Sequence, residues 1–170
     1  TASDDGTAIL WSATTGKNLF TLKAISGRIK YIQWSPDGTK VATVGRDNVT
    51  ILWSAITGQK LIALKEHTDD ILTAQWSPDG SQVATASKDR TAIIWSATTG
   101  AKVVTLTGHH GYVFTVRWSP DGTKVATASN RILNRLKRCV DNIVFIVYDT
   151  LGFCRTQLGG HKKAPGSYDR

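Results

Sequence analysis

The pentapeptide WSPDG occurs three times in this 170-residue chain, at residues 34–38, 76–80 and 118–122. The copies lie 42 residues apart, and another set of tryptophans keeps the same spacing: Trp11, Trp53 and Trp95. Self-similarity at a fixed period of about 40–45 residues is typical of repeat architectures. Each unit of such a chain buries its apolar face only by stacking on its neighbours. The sequence therefore predicts a stack of similar units.

One unit, residues 67–108, has the pattern of four short strands separated by turns. The strand candidates are ILTAQW (71–76), SQVATAS (81–87), TAIIWS (91–96) and AKVVTLT (101–107). In the first turn Pro78 presets φ and Gly80 permits a positive φ, so the chain reverses there. The run TAIIWS is nearly all apolar, as expected of a strand covered on both faces. Four strands per repeat is the content of a propeller blade, which predicts an all-β propeller of four-stranded antiparallel blades.

The repeat register sets the expected domain limits. Residues 1–129 hold the regular blades: a partial blade at 1–23, full blades at 29–65 and 71–107, and the start of a fourth at 112–129. The chain contains no Met, and its first blade lacks the first strand. We therefore expect a piece of a larger propeller, because repeat arrays depend on capped ends. A processed four-bladed protein is the alternative.

The repeats resemble the WD-repeat β-propellers. Gly108 and His109 fit the family's Gly-His dipeptide, and Trp95-Ser96 takes the place of its Trp-Asp pair. An aspartate also stands six residues before each tryptophan of the second set, where the family has a turn aspartate: Asp5, Asp47 and Asp89. The resemblance covers residues 1–129 and implies the propeller fold.

The resemblance also implies a hydrogen-bonded tetrad inside each blade, built from His, Ser or Thr, Asp and Trp. One blade has all four types: His67, Thr85 or Ser87, Asp89 and Trp95. Buried indole and hydroxyl groups need hydrogen-bond partners, which the Asp and His side chains supply. The preceding blade has Ile25 in place of the histidine, so we expect that blade to be the less stable one.

The regular pattern ends after residue 129. Residues 130–140, NRILNRLKRCV, form a basic insert where a short turn is expected, and residues 141–170 hold a degenerate end of the last blade and a tail. Tyr148-Asp149 resembles a variant Trp-Asp pair, and Gly160-His161 another Gly-His. A change of reading frame is the alternative explanation of residues 130–170.

Composition narrows the class of protein. There is no apolar run of about 18 residues, so no transmembrane segment is expected. The two cysteines, Cys139 and Cys154, both lie in the irregular part, so the regular repeats have no disulfide framework. This favours an intracellular, cytoplasmic protein over a secreted one. The net charge of +8 is uneven, because residues 130–170 hold eight Lys or Arg and three Asp. This excess favours an acidic partner, RNA or a membrane surface, or is simply a solvated charged loop.

No residue pattern indicates catalysis, a cofactor or a metal. The sequence has no phosphate-binding glycine loop, no zinc-type spacing of Cys and His, and no nucleophile elbow. Asp37, Asp79 and Asp121 recur in SPDG, where aspartate bonds its own turn. The six tryptophans are interpreted as core and interblade packing.

The resemblance places partner binding on one face, formed by the turn between strands two and three and by the link between blades. The matching positions vary between copies while the core positions repeat: Asp4, Arg46 and Lys88 in the turns, and Arg28, Asp70 and Tyr112 at the links. The insert belongs to the same class of turn and adds Arg131, Arg135 and Arg138, which would oppose an apolar helical stripe. Free variation of unconstrained residues explains the difference between copies equally well.

The sequence therefore predicts a WD-repeat scaffold for protein–protein interaction, without catalysis and with protein or peptide partners. Two alternatives stay open. A nucleic-acid-binding module using the basic tail would lose affinity steeply with salt. The chain could also be the propeller portion of a larger enzyme or signalling protein.

Overall fold

The computed structural model describes residues 1–23, 27–130, 143–149 and 154–158, with Asn130 and the last two segments as backbone only. Over these residues the chain forms strands and no helix. The strands are β1 Thr7–Trp11, β2 Asn18–Lys23, β3 Ile29–Trp34, β4 Lys40–Gly45, β5 Val49–Ser54, β6 Lys60–Lys65, β7 Ile71–Trp76, β8 Gln82–Ser87, β9 Ala92–Ser96, β10 Lys102–Leu106, β11 Val113–Trp118, β12 Lys124–Asn130, β13 Ile143–Asp149 and β14 Cys154–Leu158.

The strands form four antiparallel sheets in chain order. The first sheet has two strands, β1 and β2, and the next three have four strands each: β3 to β6, β7 to β10 and β11 to β14. Each strand pairs with the next one along the chain, so every four-stranded sheet is a simple meander. The predicted all-β fold of four-stranded antiparallel blades is confirmed, with one sheet for each blade.

The SPDG turns have the same hydrogen bonds in every copy. In the first, the Ser35 hydroxyl donates to Asp37 Oδ1 at 2.6 Å, and the amide of Lys40 donates back to Ser35 Oγ at 2.9 Å. The bond from Ser35, followed by those from Thr39, lowers the pKa of the Asp37 carboxyl to about 2. Gly38 takes a φ of 70°, which L residues other than glycine rarely adopt. The repeated aspartates are therefore turn-forming residues.

The hydrophobic core lies between consecutive sheets. In β9 the side chains of Ile93 and Trp95 join a buried cluster with Leu52 and Leu64 of the second sheet. Ile94 faces the other way and packs with residues of the fourth sheet. Side chains alternate between the faces of a strand, so a strand covered on both sides has a continuous apolar run. This arrangement explains why TAIIWS does not alternate with polar residues.

Glycines let the sheets approach closely at the turns that join third and fourth strands. Gly100, with a φ of 73°, lies so near the second sheet that a Cβ atom there would be 2.5 Å from Ile62 Cγ2. Gly58 is equivalent one blade earlier and faces Phe20 at 2.6 Å in the same sense. The contact between blades thus requires glycine for both its space and its backbone conformation.

The tryptophans are not all core residues, which corrects the prediction from sequence. Trp76, at the end of β7, is 5% exposed, whereas the equivalent Trp34 of β3 is 51% exposed. Trp76 packs against the four-stranded second sheet, but β3 adjoins the two-stranded first sheet. Trp11 in that first sheet is likewise 45% exposed. The repeat therefore sets the position of each tryptophan, and the neighbouring sheet sets its burial.

The fourth sheet keeps the repeat register beyond the irregular segment. Tyr148 of β13 pairs with Val125, as Trp95 pairs with Val83 and Trp53 with Val41. Its backbone therefore stands where the other two sheets have tryptophan. The predicted insert at 130–140 lies almost wholly outside the described residues, which resume at Ile143.

Candidate protein-interaction face

The four predicted tetrad side chains of the third sheet form one chain of hydrogen bonds. Trp95 Nε1 donates to Thr85 Oγ1 at 2.9 Å, and Thr85 Oγ1 lies 2.8 Å from His67 Nε2. His67 Nδ1 lies 2.7 Å from Asp89 Oδ2. Thr85 has no exposed surface, and His67 and Trp95 are buried. The network thus runs from the core to the edge of the sheet.

The pKa shifts of His67 and Asp89 determine which atom donates in each hydrogen bond of this network. Burial lowers the pKa of His67 below its usual value, and this effect outweighs the opposite one of Asp89. Burial alone would raise the pKa of Asp89, but the bonds from Thr91 and His67 lower it overall. At neutral pH a neutral His67 then donates from Nδ1 to a charged Asp89 and accepts the Thr85 hydroxyl proton at Nε2. Every polar atom in the series has a partner.

The carboxylate of Asp89 connects two loops at the same edge of the sheet. Its Oδ2 accepts the amide of Thr68, at 3.2 Å, in the link from β6 to β7. Its Oδ1 accepts the amide of Thr91, at 2.9 Å, in the turn from β8 to β9. The tetrad therefore fixes the link and the turn to each other and to the buried tryptophan.

Of the two predicted hydroxyl residues, Thr85 lies in the tetrad and Ser87 has a different role. The Ser87 hydroxyl donates to the backbone carbonyl of Asp69 at 3.0 Å. Its oxygen accepts the amide of Asp89 at 3.1 Å. Ser87 thus makes a second connection between the turn and the link.

The other sheets contain parts of the same arrangement. In the second sheet, Trp53 Nε1 donates to Thr43 Oγ1 at 2.8 Å, and Ile25 lies outside the described residues. In the fourth sheet, His109 Nε2 lies 2.7 Å from Thr127 Oγ1. The third sheet is the one in which the described residues include a His, a Thr, an Asp and a Trp in one network.

The turns between second and third strands and the links between sheets form one edge of the stack, which we call the loop face. The predicted rim residues lie there and pair across it. Lys88 of a turn donates its amide to the carbonyl of Asp70 in a link, at 2.9 Å. Arg46 and Arg28 make the same backbone bond at 3.0 Å, and Arg28 Nη1 also lies 3.1 Å from Asp4 Oδ2.

Asp70 is the most strongly engaged of these rim residues. Its Oδ2 lies 2.9 Å from Lys88 Nζ and 3.0 Å from Lys30 Nζ, and these bonds lower the pKa of the carboxyl. Lys30 belongs to β3, so the carboxylate joins two adjacent sheets. Analysis of the sequence missed Lys30 because it stands two residues after the repeat position of Asp70. Arg28 stands at the repeat position of Asp70 one blade earlier, and its side chain is a cation where Asp70 has an anion.

Tyr112 is 38% exposed and lines a pocket of the loop face together with Lys88. The structure thus brings Asp70, Lys88 and Tyr112 to neighbouring positions, and Arg28 and Arg46 to a second position one blade earlier. The predicted rim residues of the insert lie outside the described residues: Arg131, Arg135 and Arg138.

Two kinds of feature are absent from the part of the chain that the structure describes. It contains no group of three His, Cys, Asp or Glu side chains placed to hold a metal ion. It also contains no helix long and apolar enough to cross a membrane.

Comparison with known proteins identifies the repeat. The family described as WD domain, G-beta repeat, matches the chain three times, at residues 16–54, 58–96 and 100–134. No curated protein matched the sequence significantly. Repeats of this family indicate a domain of the protein-interaction scaffold kind and are generally non-catalytic. The three matches cover more than half of the residues, and the chain belongs to the WD-repeat family.

Proposed function

We propose that this chain is a scaffold that binds protein partners through its loop face and has no catalytic activity of its own. The observation that carries the proposal is the double attachment of the loops by Asp89. One carboxylate holds the link amide of Thr68 and the turn amide of Thr91, and it is itself held by His67. The loops are therefore fixed before any partner arrives.

Fixed loops favour binding because association costs the freedom of every group that it orders. The β-sheets supply a rigid base, and the loops supply side chains that need not be alike. At the link positions the copies have Arg28, Asp70 and Tyr112, a cation, an anion and an aromatic ring. Variable side chains on a constant frame suit recognition of one partner by several loops at once.

The burial of the tetrad supports a structural role for residues that also occur in catalytic sites. A His–Asp pair beside a hydroxyl is the usual arrangement for activating a nucleophile. Here the hydroxyl belongs to Thr85, which has no exposed surface, and it lies against the indole N–H of Trp95. A substrate has no access to it, so the network serves stability and loop placement.

Affinity capture with two matched variants tests the proposal. The loop-face variant replaces Arg46 and Tyr112 with Ser, and the control replaces Lys17 and Ile56 with Ser in turns at the opposite edge. All four side chains are exposed. We expect proteins captured by the unchanged chain to fall several-fold with the loop-face variant and to persist with the control.

Equal capture by both variants, or a loss with the control alone, would contradict the loop face as the binding surface. Nuclease treatment and a salt series accompany the capture. Binding that disappears with nuclease and falls steeply with salt would favour a nucleic-acid partner instead.

A further inference from the structure

One turn of the loop face has a strained backbone that its counterparts avoid. The third residue of the turn between second and third strands is Gly6 in the first sheet, Asn48 in the second and Arg90 in the third. All three take a left-handed conformation, with φ values of 85°, 58° and 74°. Glycine and asparagine adopt it readily, whereas a long side chain pays a cost in free energy. Arg90 is therefore the unfavourable residue for this backbone.

Among the residues that the structure describes, no side-chain contact of Arg90 offsets this strain. The residue is exposed, and its guanidinium makes no hydrogen bond or ion pair with the residues that the structure describes. Its backbone amide bonds the carbonyl of Ser87 at 3.3 Å, a contact that asparagine or glycine would make equally well. Backbone strain that no contact within the fold explains indicates a functional role, such as binding, for the strained residue.

Arg90 lines a pocket between the third and fourth sheets. The other residues around it come from the same turn and from the links on both sides: Thr68, Asp69, Lys88, Asp89, His110 and Tyr112. Tyr112 presents an exposed aromatic ring, and Lys88 lines the same pocket. The pocket thus combines cations with an aromatic surface.

The two acidic residues of the pocket accept hydrogen bonds from their own loops and keep their negative charge. Asp89 accepts bonds from His67, Thr68 and Thr91, so its charge belongs to the tetrad. Asp69 accepts the amide of Asp70 at 2.7 Å. Within the described residues, Arg90 is the pocket cation whose charge has no partner, while Lys88 shares Asp70 with Lys30 and retains two unused N–H donors.

We propose that this pocket binds a carboxylate side chain of an acidic peptide segment, with Arg90 as its anchor. The planar guanidinium offers two parallel N–H groups to a carboxylate, Lys88 adds a third donor, and the ring of Tyr112 packs on the aliphatic part of the ligand. The exposed Asp69 carboxylate repels any anion at this pocket, and it repels a doubly charged phosphate more strongly than a singly charged carboxylate. The inference rests on the proposed scaffold function and specifies the chemistry of one anchoring site.

The test exploits the opposite effects of Arg90 on binding and on stability. Arg90→Asn introduces the residue of the preceding blade, and Lys17→Asn removes one exposed cation at the opposite edge as a control. The probes are hexaglutamate and hexaglutamine peptides, titrated against the full chain by fluorescence anisotropy. We expect Arg90→Asn to weaken hexaglutamate binding about tenfold. Lys17→Asn should leave hexaglutamate binding unchanged, and hexaglutamine should bind neither the unchanged chain nor either variant.

The melting temperature gives the second readout. Relief of the left-handed strain should raise it by about 2–4 °C in Arg90→Asn. Arg90→Lys retains the strain and the charge but not the planar pair of donors. We therefore expect Arg90→Lys to melt like the unchanged chain and to lose only part of the affinity.

Four results would overturn the inference: no binding of hexaglutamate to the unchanged chain, equal hexaglutamate binding before and after Arg90→Asn, an equal loss in Lys17→Asn, or a phosphoserine peptide that binds this pocket more tightly than hexaglutamate. Failure of the pocket is distinguishable from failure of the scaffold. If hexaglutamate does not bind but the loop face still captures proteins, the pocket assignment is wrong and the scaffold proposal stands. If hexaglutamate binds through Arg90 while loop-face variants capture proteins normally, the pocket assignment stands and the scaffold proposal is wrong.

Discussion

Replacing Thr85 with Val tests how much the tetrad contributes to folding. The substitution keeps the shape of the side chain and removes the oxygen that lies 2.9 Å from Trp95 Nε1 and 2.8 Å from His67 Nε2. Both partners are buried, so each loses its bond without gaining one to water. An unsatisfied buried polar group costs about 1–3 kcal/mol. We expect Thr85→Val to lower the free energy of unfolding by about 2–4 kcal/mol.

The second sheet provides a matched control. Thr43 accepts the indole N–H of Trp53 at 2.8 Å, and the sequence has Ile25 where the histidine would stand. Thr43→Val therefore leaves one buried donor without a partner, and its expected cost is about 1–2 kcal/mol. Urea unfolding followed by tryptophan fluorescence gives both values, and hydrogen exchange of the β5 and β9 amides shows which sheet is weakened.

Equal losses in the two variants would refute the reasoning, because the histidine would then add nothing to the network. A loss below about 1 kcal/mol in Thr85→Val would mean that the buried indole and imidazole find other partners, contrary to the geometry.

Two further predictions concern packing and pH. Gly100→Ala should destabilise the chain by about 1–3 kcal/mol more than Gly16→Ala, because both have a left-handed φ but only at Gly100 would the new Cβ contact a neighbouring sheet; paired urea melts measure the difference. The free energy of unfolding should fall as the pH drops below about 6.5, because burial lowers the folded pKa values of His67 and His109, so both take up a proton more readily when unfolded. The slope should become shallower in His67→Gln, with the part due to His109 remaining. A second decline should follow below about pH 4, as Asp37 and Asp79, whose folded pKa values are about 2, become protonated first in the unfolded chain. A stability that is flat from pH 7.5 to 5.5 would contradict the first of these two pH effects.

The period of the sequence was sufficient to predict the fold but not the burial of each side chain. WSPDG and its spacing locate the turns, and the apolar run of β9 indicates a strand covered on both faces. The exposure of Trp34 depends on the number of strands in the neighbouring sheet. The residues next to Trp34 in the sequence do not indicate that number. Local pattern therefore predicts elements, and stacking decides which of them become core.

The candidate site was predictable in part for a similar reason. Thr85 and Ser87 lie on the same side of β8, so alternation alone could not choose between them. The structure separates them because Ser87 is the last residue of the strand and reaches the link carbonyl of Asp69. Lys30 was missed because it stands outside the repeat position of Asp70 and because its contact with Asp70 crosses from one sheet to the next.

The role inferred for Arg90 required the backbone conformation. An arginine in a polar turn is unremarkable as sequence, and the strain is visible only from its φ of 74°. The equivalent residues of the other two turns are Gly6 and Asn48, which adopt a positive φ readily. Arg90 is therefore the exceptional residue at this position.

Site-specific photo-crosslinking tests the central claim, that the loop face binds protein partners, most directly. A benzophenone amino acid replaces Tyr112 on the loop face or, in the control, Thr14 in a turn at the opposite edge; both positions are exposed. The account predicts discrete crosslinked proteins from position 112 and none above background from position 14. Crosslinks from position 14 alone, or the same products from both positions, would contradict it.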